Sequence, residues 1–268
     1  SSASFSSEAS PLMQTMRASG AICFTARMSD GPSSPGIIKS VTMASTSGAF
    51  SWKTGPDSVA LLQGEQTVWQ FHFGTNEPKP CFHPVALPGG PDLIWHRPAD
   101  HPWHLGLWFS WKFINGVNYW EEDRKTGLLA GRTEWEAPRL ETRPDFSARI
   151  TMNLSYRPAS GPPVLSERRV IEISSPNGQG VYQQDWDLTF TAAGQDALLD
   201  RTPLVGEPNG QSWGGYAGLS VRFARGFQDA RAVTDQQPIE FVDGMYRGPA
   251  SAMDYAGIID KREAGVAI

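Results

Sequence analysis

The segment from Ser147 to Tyr156 alternates apolar and polar residues: Ala148, Ile150, Met152, Leu154 and Tyr156 against Arg149, Thr151 and Asn153. A period of two puts the first set on one face of a β-strand. Val181 to Thr191 does the same, with Tyr182, Trp186, Leu188 and Phe190 opposite Gln183, Asp185 and Asp187, the two aspartates reading as solvent-facing. Thr67 to Phe73 sets Trp69, Phe71 and Phe73 against Gln70 and His72, and Ala217 to Phe223 sets Leu219, Val221 and Phe223 against Ser220 and Arg222. Ile239 to Val242 and Ala264 to Ile268 are shorter candidates. Turn signals separate these runs: Pro88-Gly-Gly-Pro91, Asn115-Gly116, Gly161-Pro-Pro163, Pro176-Asn-Gly178 and Pro208-Asn-Gly210. The 27 Gly and 21 Pro among 268 residues fit a chain of many turns. No long segment carries a helical period. The expectation is an all-β, antiparallel sandwich or barrel, one domain over residues 48–268. Residues 1–47 are Ser-rich and without sustained period, and read as a tail or as sequence upstream of a start at Met43. The final Ala264-Gly-Val-Ala-Ile268 reads as a strand that stops without a turn, as in a fragment of a longer fold.

Several function classes drop out. A net charge of −5 with no basic block is the wrong footprint for phosphate contacts, so no nucleic-acid partner is expected. No apolar run reaches the ~20 residues of a membrane helix. Ala18 to Ala26, after Arg17, is too short and too broken by Ser, Gly and Thr for a signal peptide, so the expected compartment is the cytoplasm. Cys23 and Cys81 make neither a disulfide scaffold nor a metal spacing. There is no Gly-rich phosphate loop and no Gly-x-Ser-x-Gly elbow.

What remains is a concentration of chemistry. All five histidines, His72, His83, His96, His101 and His104, fall within 33 positions, and six of the ten tryptophans lie between 69 and 120. Imidazoles titrate near neutral pH and bind metals, carboxylates supply acids and bases, and flat rings suit the apolar faces of sugars. The sharpest piece is Asp100-His-Pro-Trp-His-Leu-Gly-Leu-Trp-Phe-Ser-Trp111. Read as a strand from His104, it places His104, Gly106, Trp108 and Ser110 on one face, a shallow ligand floor, and Leu105, Leu107, Phe109 and Trp111 on the core face. His101 joins His104 only if the chain turns at Pro102. His72 reads as a packed or rim histidine, and Glu121-Glu-Asp123 as a solvated loop. A divalent metal is possible, with His83, His101, His104 and Glu121 as the candidate ligands.

Lys79-Pro-Cys-Phe-His-Pro84, Asp100 to Trp108, Asn115-Gly-Val-Asn-Tyr-Trp120, Trp213-Gly-Gly-Tyr-Ala-Gly-Leu-Ser-Val-Arg222 and Ala264 to Ile268 together resemble the successive motifs of the PmoA-like family. The resemblance runs from about residue 50 to the end. It implies sugar metabolism rather than the methane oxygenation of the family's label, and a further segment beyond the last strand. In style, the His-x-Gly beside an aromatic β-segment is also similar to galactose-mutarotase-like supersandwiches, where a histidine acid and a carboxylate base act at the anomeric centre.

The expected protein is therefore a carbohydrate-active β supersandwich. In the first reading it is an enzyme (epimerase, mutarotase, lyase or hydrolase type) with His104 as leading acid/base and His83 and His101 as partner or orienting groups. Glu207 is a second carboxylate, Arg97 and Arg222 hold substrate oxygens, and Trp108 or Trp120 stacks on the ring. The second reading is a carbohydrate-binding module without turnover. The third is a metal-dependent oxygenase or lyase using the histidine cluster. The oligomeric state is not set by the sequence.

Overall fold

The computed structural model describes residues 48–234, 250 and 252–268, and the backbone of 15–27. Every regular element among them is a β-strand, and the paired strands of the three sheets are antiparallel. The larger sheet runs in the order β10 (Arg139–Thr142), β11 (Ala148–Pro158), β12 (Leu165–Ile173), β13 (Tyr182–Ala192), β1 (Thr15–Arg27), β18 (Arg262–Ala267), β17 (Met253–Ile259) and β16 (Gln228–Thr234). β9 (Gly131–Trp135) also pairs with β11. The second sheet runs β15 (Gly218–Val221), β6 (Leu107–Ser110), β5 (Cys81–Val85), β4 (Gln66–His72), β3 (Ser58–Gln63) and β2 (Phe50–Thr54). A small third sheet joins β14 (Leu199–Asp200), β7 (Phe113–Ile114) and β8 (Val117–Asn118).

The two large sheets share one apolar core, which makes the fold a β-sandwich. The alternation seen in sequence explains how. Ile150, Met152, Leu154 and Tyr156 of β11 and Trp186, Leu188 and Phe190 of β13 turn inward, against Trp69, Phe71, Phe82, Leu107 and Phe109 of the second sheet. Phe82 meets Trp186 at 5.7 Å between ring centroids, and Phe109 stacks on Phe190 at 5.5 Å. Such pairs add ~0.5–1.5 kcal/mol each beyond their burial. Three polar side chains also stitch the layers: the Tyr182 hydroxyl donates to Ala86 O (3.1 Å), Trp135 Nε1 to Phe73 O (2.7 Å) and Trp52 Nε1 to Arg143 O (3.2 Å). Arg169 lies in this core against Glu167, which also accepts from Tyr156, and its guanidinium packs over Phe109 and Trp186.

Thr15–Arg27, inside the stretch read as a tail, is a strand of the larger sheet and pairs with β13 on one side and β18 on the other. Backbone pairing does not require an apolar period, and this segment of small residues gives none. Ile239 to Val242 and Met43 lie outside the described residues. Among the described residues no helix is long and apolar enough to cross a membrane.

Candidate functional site

The site lies on the face of the second sheet turned away from the core. Core residues Phe71, Phe82 and Leu107 alternate with His72 on β4, Cys81 and His83 on β5, and Trp108 on β6, so the outer set shares the opposite face. Loops before β5 and β6 add Glu77, Lys79, His96, Arg97, Asp100, His101 and His104.

Gly106 shapes the centre. Its φ of +86° lies in the region that favours glycine. An added Cβ would sit 2.8 Å from Ile94 Cδ1 and 2.8 Å from Phe82 O, so the position is filled rather than a bare patch of floor. The strand accordingly starts at Leu107 rather than at His104, and the alternation breaks between them. Leu105 leaves the main core and joins Cys81, Trp103, Trp108 and Trp120 in a second cluster. His104 and Trp108, about 13 Å apart on an extended chain, come to 5.1 Å between ring centroids.

The turn at Pro102 forms, with the His104 amide donating to His101 O (3.0 Å). It stacks the His101 and His104 rings at 4.7 Å. Asp100 Oδ2 stands 3.0 Å from His101 Nδ1 and 3.1 Å from Arg222 Nη2. The imidazole N–H is not aligned for a hydrogen bond at that oxygen, so the His101 contact is chiefly electrostatic. The His101 side chain, and then Arg222, hold the Asp100 carboxyl below its usual range. Burial, then His101 and Arg222, push His104 down to about 4, leaving a neutral imidazole at pH 7. The buried Nδ1 of His104 and Nε1 of Trp108 have no hydrogen-bond partner among the described residues.

A second imidazole pair lies beyond Gly106. His83 stacks on His96 at 4.6 Å, and its carbonyl accepts from His72 Nε2 at 2.7 Å. His83 Nε2 is 3.5 Å from Asp92 Oδ2. Burial and the neighbouring histidines bring His83 down to about 4, while burial raises Asp92 to about 6 against amide hydrogen bonds from Ile94 and Val85. His96 Nε2 reaches Glu77 Oε1 at 2.9 Å, and Arg97 grips Glu77 Oε2 through Nε (3.1 Å) and Nη2 (2.9 Å). Burial alone would raise Glu77, but hydrogen bonds from His96 and Arg97 hold it low. Arg97 also donates to Pro102 O (2.9 Å) and Glu122 (3.2 Å), so it braces loops rather than offering itself to substrate oxygens. Lys79, only 1% exposed, donates to Trp120 O at 3.2 Å, and burial lowers it to about 8.

Other expected site residues sit differently. Trp108 and Trp120 are 1% and 3% exposed and form the floor beneath the imidazoles, with no open face for a ring. Among the described residues the exposed aromatics are Trp213 (46%) and Tyr216 (38%), and Tyr216 lies over Trp120 at 6.1 Å. Glu121 binds Lys112 (2.6 Å) and Asn118 (2.9 Å), and Glu122 binds Arg97, so neither is simply solvated. Glu207 is clamped by Arg201 at 2.6 and 2.7 Å and accepts the Leu204 amide, which holds it down to about 2. Its partners come from its own loop, and a carboxylate so held is a weak base. His83 stacks with one histidine partner, His101 and His104 with each other, and Glu121 faces Lys112, so the four candidate ligands do not converge. Among the described residues no group of three His, Cys, Asp or Glu is arranged to hold a metal.

Glu77 carried no sequence signal beyond preceding the Lys79 motif. Asp100 stood in the histidine window, but only the turn aims it at His101.

A family model covers this whole site. Residues 58–268 match that of a family of unknown function, DUF6807. The chain belongs to this family. No curated protein matches, and no solved structure does. The DUF6807 match takes in β3 to β18 with all five histidines, and leaves β1 and β2 outside.

Proposed function

We propose that this DUF6807 protein is an enzyme acting on a sugar or sugar-derived carbonyl compound by proton transfer at the His101–His104 pair. One observation carries the reading: two buried nitrogens, His104 Nδ1 and Trp108 Nε1, lack partners among the described residues, in a cluster with a histidine faced by a carboxylate. Buried polar atoms are normally satisfied. Trp69 and Tyr119 also carry unpartnered atoms in the main core. The atoms of His104 and Trp108 lie instead in the histidine cluster, whose half-exposed member, His101, is the group a hydroxyl-rich ligand would meet first.

The roles follow from the electrostatics. His101 stands against Asp100 through Nδ1, which leaves Nε2 as the nitrogen able to act as a base, and Asp100 opposes the imidazolium that forms. His104 is neutral at pH 7, so it orients and hydrogen-bonds rather than donating a full proton. Leadership thus passes from His104 to His101. Trp213 and Tyr216, at the rim, take the stacking role first given to Trp108 and Trp120. The sugar metabolism implied by the PmoA-like resemblance, and the histidine acid–base chemistry implied by the similarity to galactose-mutarotase-like supersandwiches, support this reading.

The test is His101→Asn against a panel of aldoses, ketoses and keto-sugars, followed by proton NMR in D2O. A positioned base contributes ~10²–10⁴ in rate. Turnover should fall by at least that factor with the melting temperature unchanged. An unchanged rate removes His101 from the mechanism. Binding without turnover in the wild type favours the binding-module reading, for which Trp213 and Tyr216 suffice.

A further inference from the structure

The protein is acidic overall, yet the rim beside His101 is not. Arg222 and Arg124 meet Asp100 there, and Arg225 shares the Trp95 ring with Arg222. Elsewhere Arg97, Arg169 and Arg201 are each neutralised by a glutamate. Arg222 gives Nη2 to Asp100 and packs over Trp95 at 5.6 Å. Arg225 lies over the same indole at 4.2 Å and has no carboxylate partner among the described residues. Arg124 covers Trp103 at 5.2 Å, makes a long 3.5 Å contact to Asp100 O and helps hold Glu121 low. Stacking fixes a guanidinium plane and leaves its edge donors pointing outward, the geometry that takes a carboxylate or phosphoryl group in a fork. Neutral hydroxyls make no such demand for paired cations.

We propose that the ligand of this face is an anionic sugar, its carboxylate or phosphoryl group held by Arg222 and Arg225 beside the His101–Asp100 pair. This deepens the sugar reading and rests on it. The anion completes a rim that carries more positive than negative charge. It also offsets the field of Arg222 on His104, so binding raises the pH at which His104 protonates.

The experiment is calorimetric titration of the intact chain at pH 7 and low salt. The ligands are glucuronate and galacturonate, glucose and galactose, glucose 6-phosphate, and the ringless anions acetate and inorganic phosphate. At least one acidic sugar should bind roughly tenfold or more tighter than its neutral parent and than the ringless anions. Arg225→Gln, at an exposed site, should abolish that preference, and Arg222→Gln should do so with its melting temperature checked. The uronate and phosphate arms tell which anion is preferred, and either one supports the proposal. Equal binding of acid and parent overturns the anion assignment and leaves the sugar reading standing. A preference that survives both substitutions overturns the assignment to these arginines. Ringless anions binding as tightly as acidic sugars overturn the sugar reading and keep the anion site. No binding by any member overturns both.

Discussion

Replacing Gly106 by alanine should damage this protein more than any other single methyl group added at the site. Two costs combine. At φ +86° a side chain is strained, by roughly 1–3 kcal/mol. The new Cβ would also lie 2.8 Å from Phe82 O, a backbone atom, and 2.8 Å from Ile94 Cδ1. Phe82 is paired with Leu107 in the β5–β6 ladder, so its carbonyl cannot retreat without breaking the sheet. Overpacking of this kind costs a further ~1–3 kcal/mol. A combined loss of about 4 kcal/mol, at ~2–4 °C per kcal/mol for a domain of this size, lowers the melting temperature by roughly 8–16 °C. The assay is a thermal melt followed by near-ultraviolet circular dichroism, which also reports the packing of His104 on Trp108 and Trp120. A variant melting within about 2 °C of the wild type would refute the claim that a filled, left-handed Gly106 builds the histidine face.

Three further outcomes are expected. Stability should fall between pH 6.5 and pH 4. His83 and His104 titrate near 4 when folded against 6.5 in the unfolded chain, so the unfolded state takes up their protons first. Asp92, near 6 against 3.8, acts with the opposite sign over part of that range. Two groups against one leave at most ~1.4 kcal/mol per pH unit, less after solvent screening of His83 and Asp92, and a denaturation midpoint that stays flat from pH 7 to 4.5 would contradict it. Glu77→Gln removes the charge shared by His96 and Arg97 and should cost about 2 kcal/mol, seen as a lower midpoint in urea. An unchanged midpoint would mean that Glu122 alone suffices for Arg97. Trp213→Ala should weaken sugar binding by roughly tenfold while leaving the melt in place, and equal affinity would take Trp213 out of the stacking platform.

The fold was legible because burial in a sandwich has a period of two. β11 and β13 could be read residue by residue, inward and outward, and Trp69, Phe71 and Phe73 declared the core face of β4. β1 was not, because its small residues give no alternation and its place depends on edges offered by β13 and β18. The site was legible as a set of residues but not as an arrangement. Pro102 marks a turn in the sequence, and that turn brings His101 onto His104. Nothing in the letters gives Gly106 a positive φ, and that one angle decides where the strand starts and which side Leu105 takes. Whether a tryptophan is a floor or a platform depends on what covers it, here Tyr216 from a distant loop over Trp120. Glu77 and Glu207 differ in the same way, one held by groups of the histidine face and the other by its own loop.

Nitrogen-15 NMR of histidine-labelled protein, titrated from pH 8 to 4 with and without aldohexoses and their uronates, tests the central claim most directly. His104 should stay neutral down to about pH 4 in the free protein, and a sugar ligand should shift the His101 and His104 ring signals ahead of His72. A His104 that titrates near 6.5, or histidine signals that no sugar moves, would contradict an acid–base sugar site on this face.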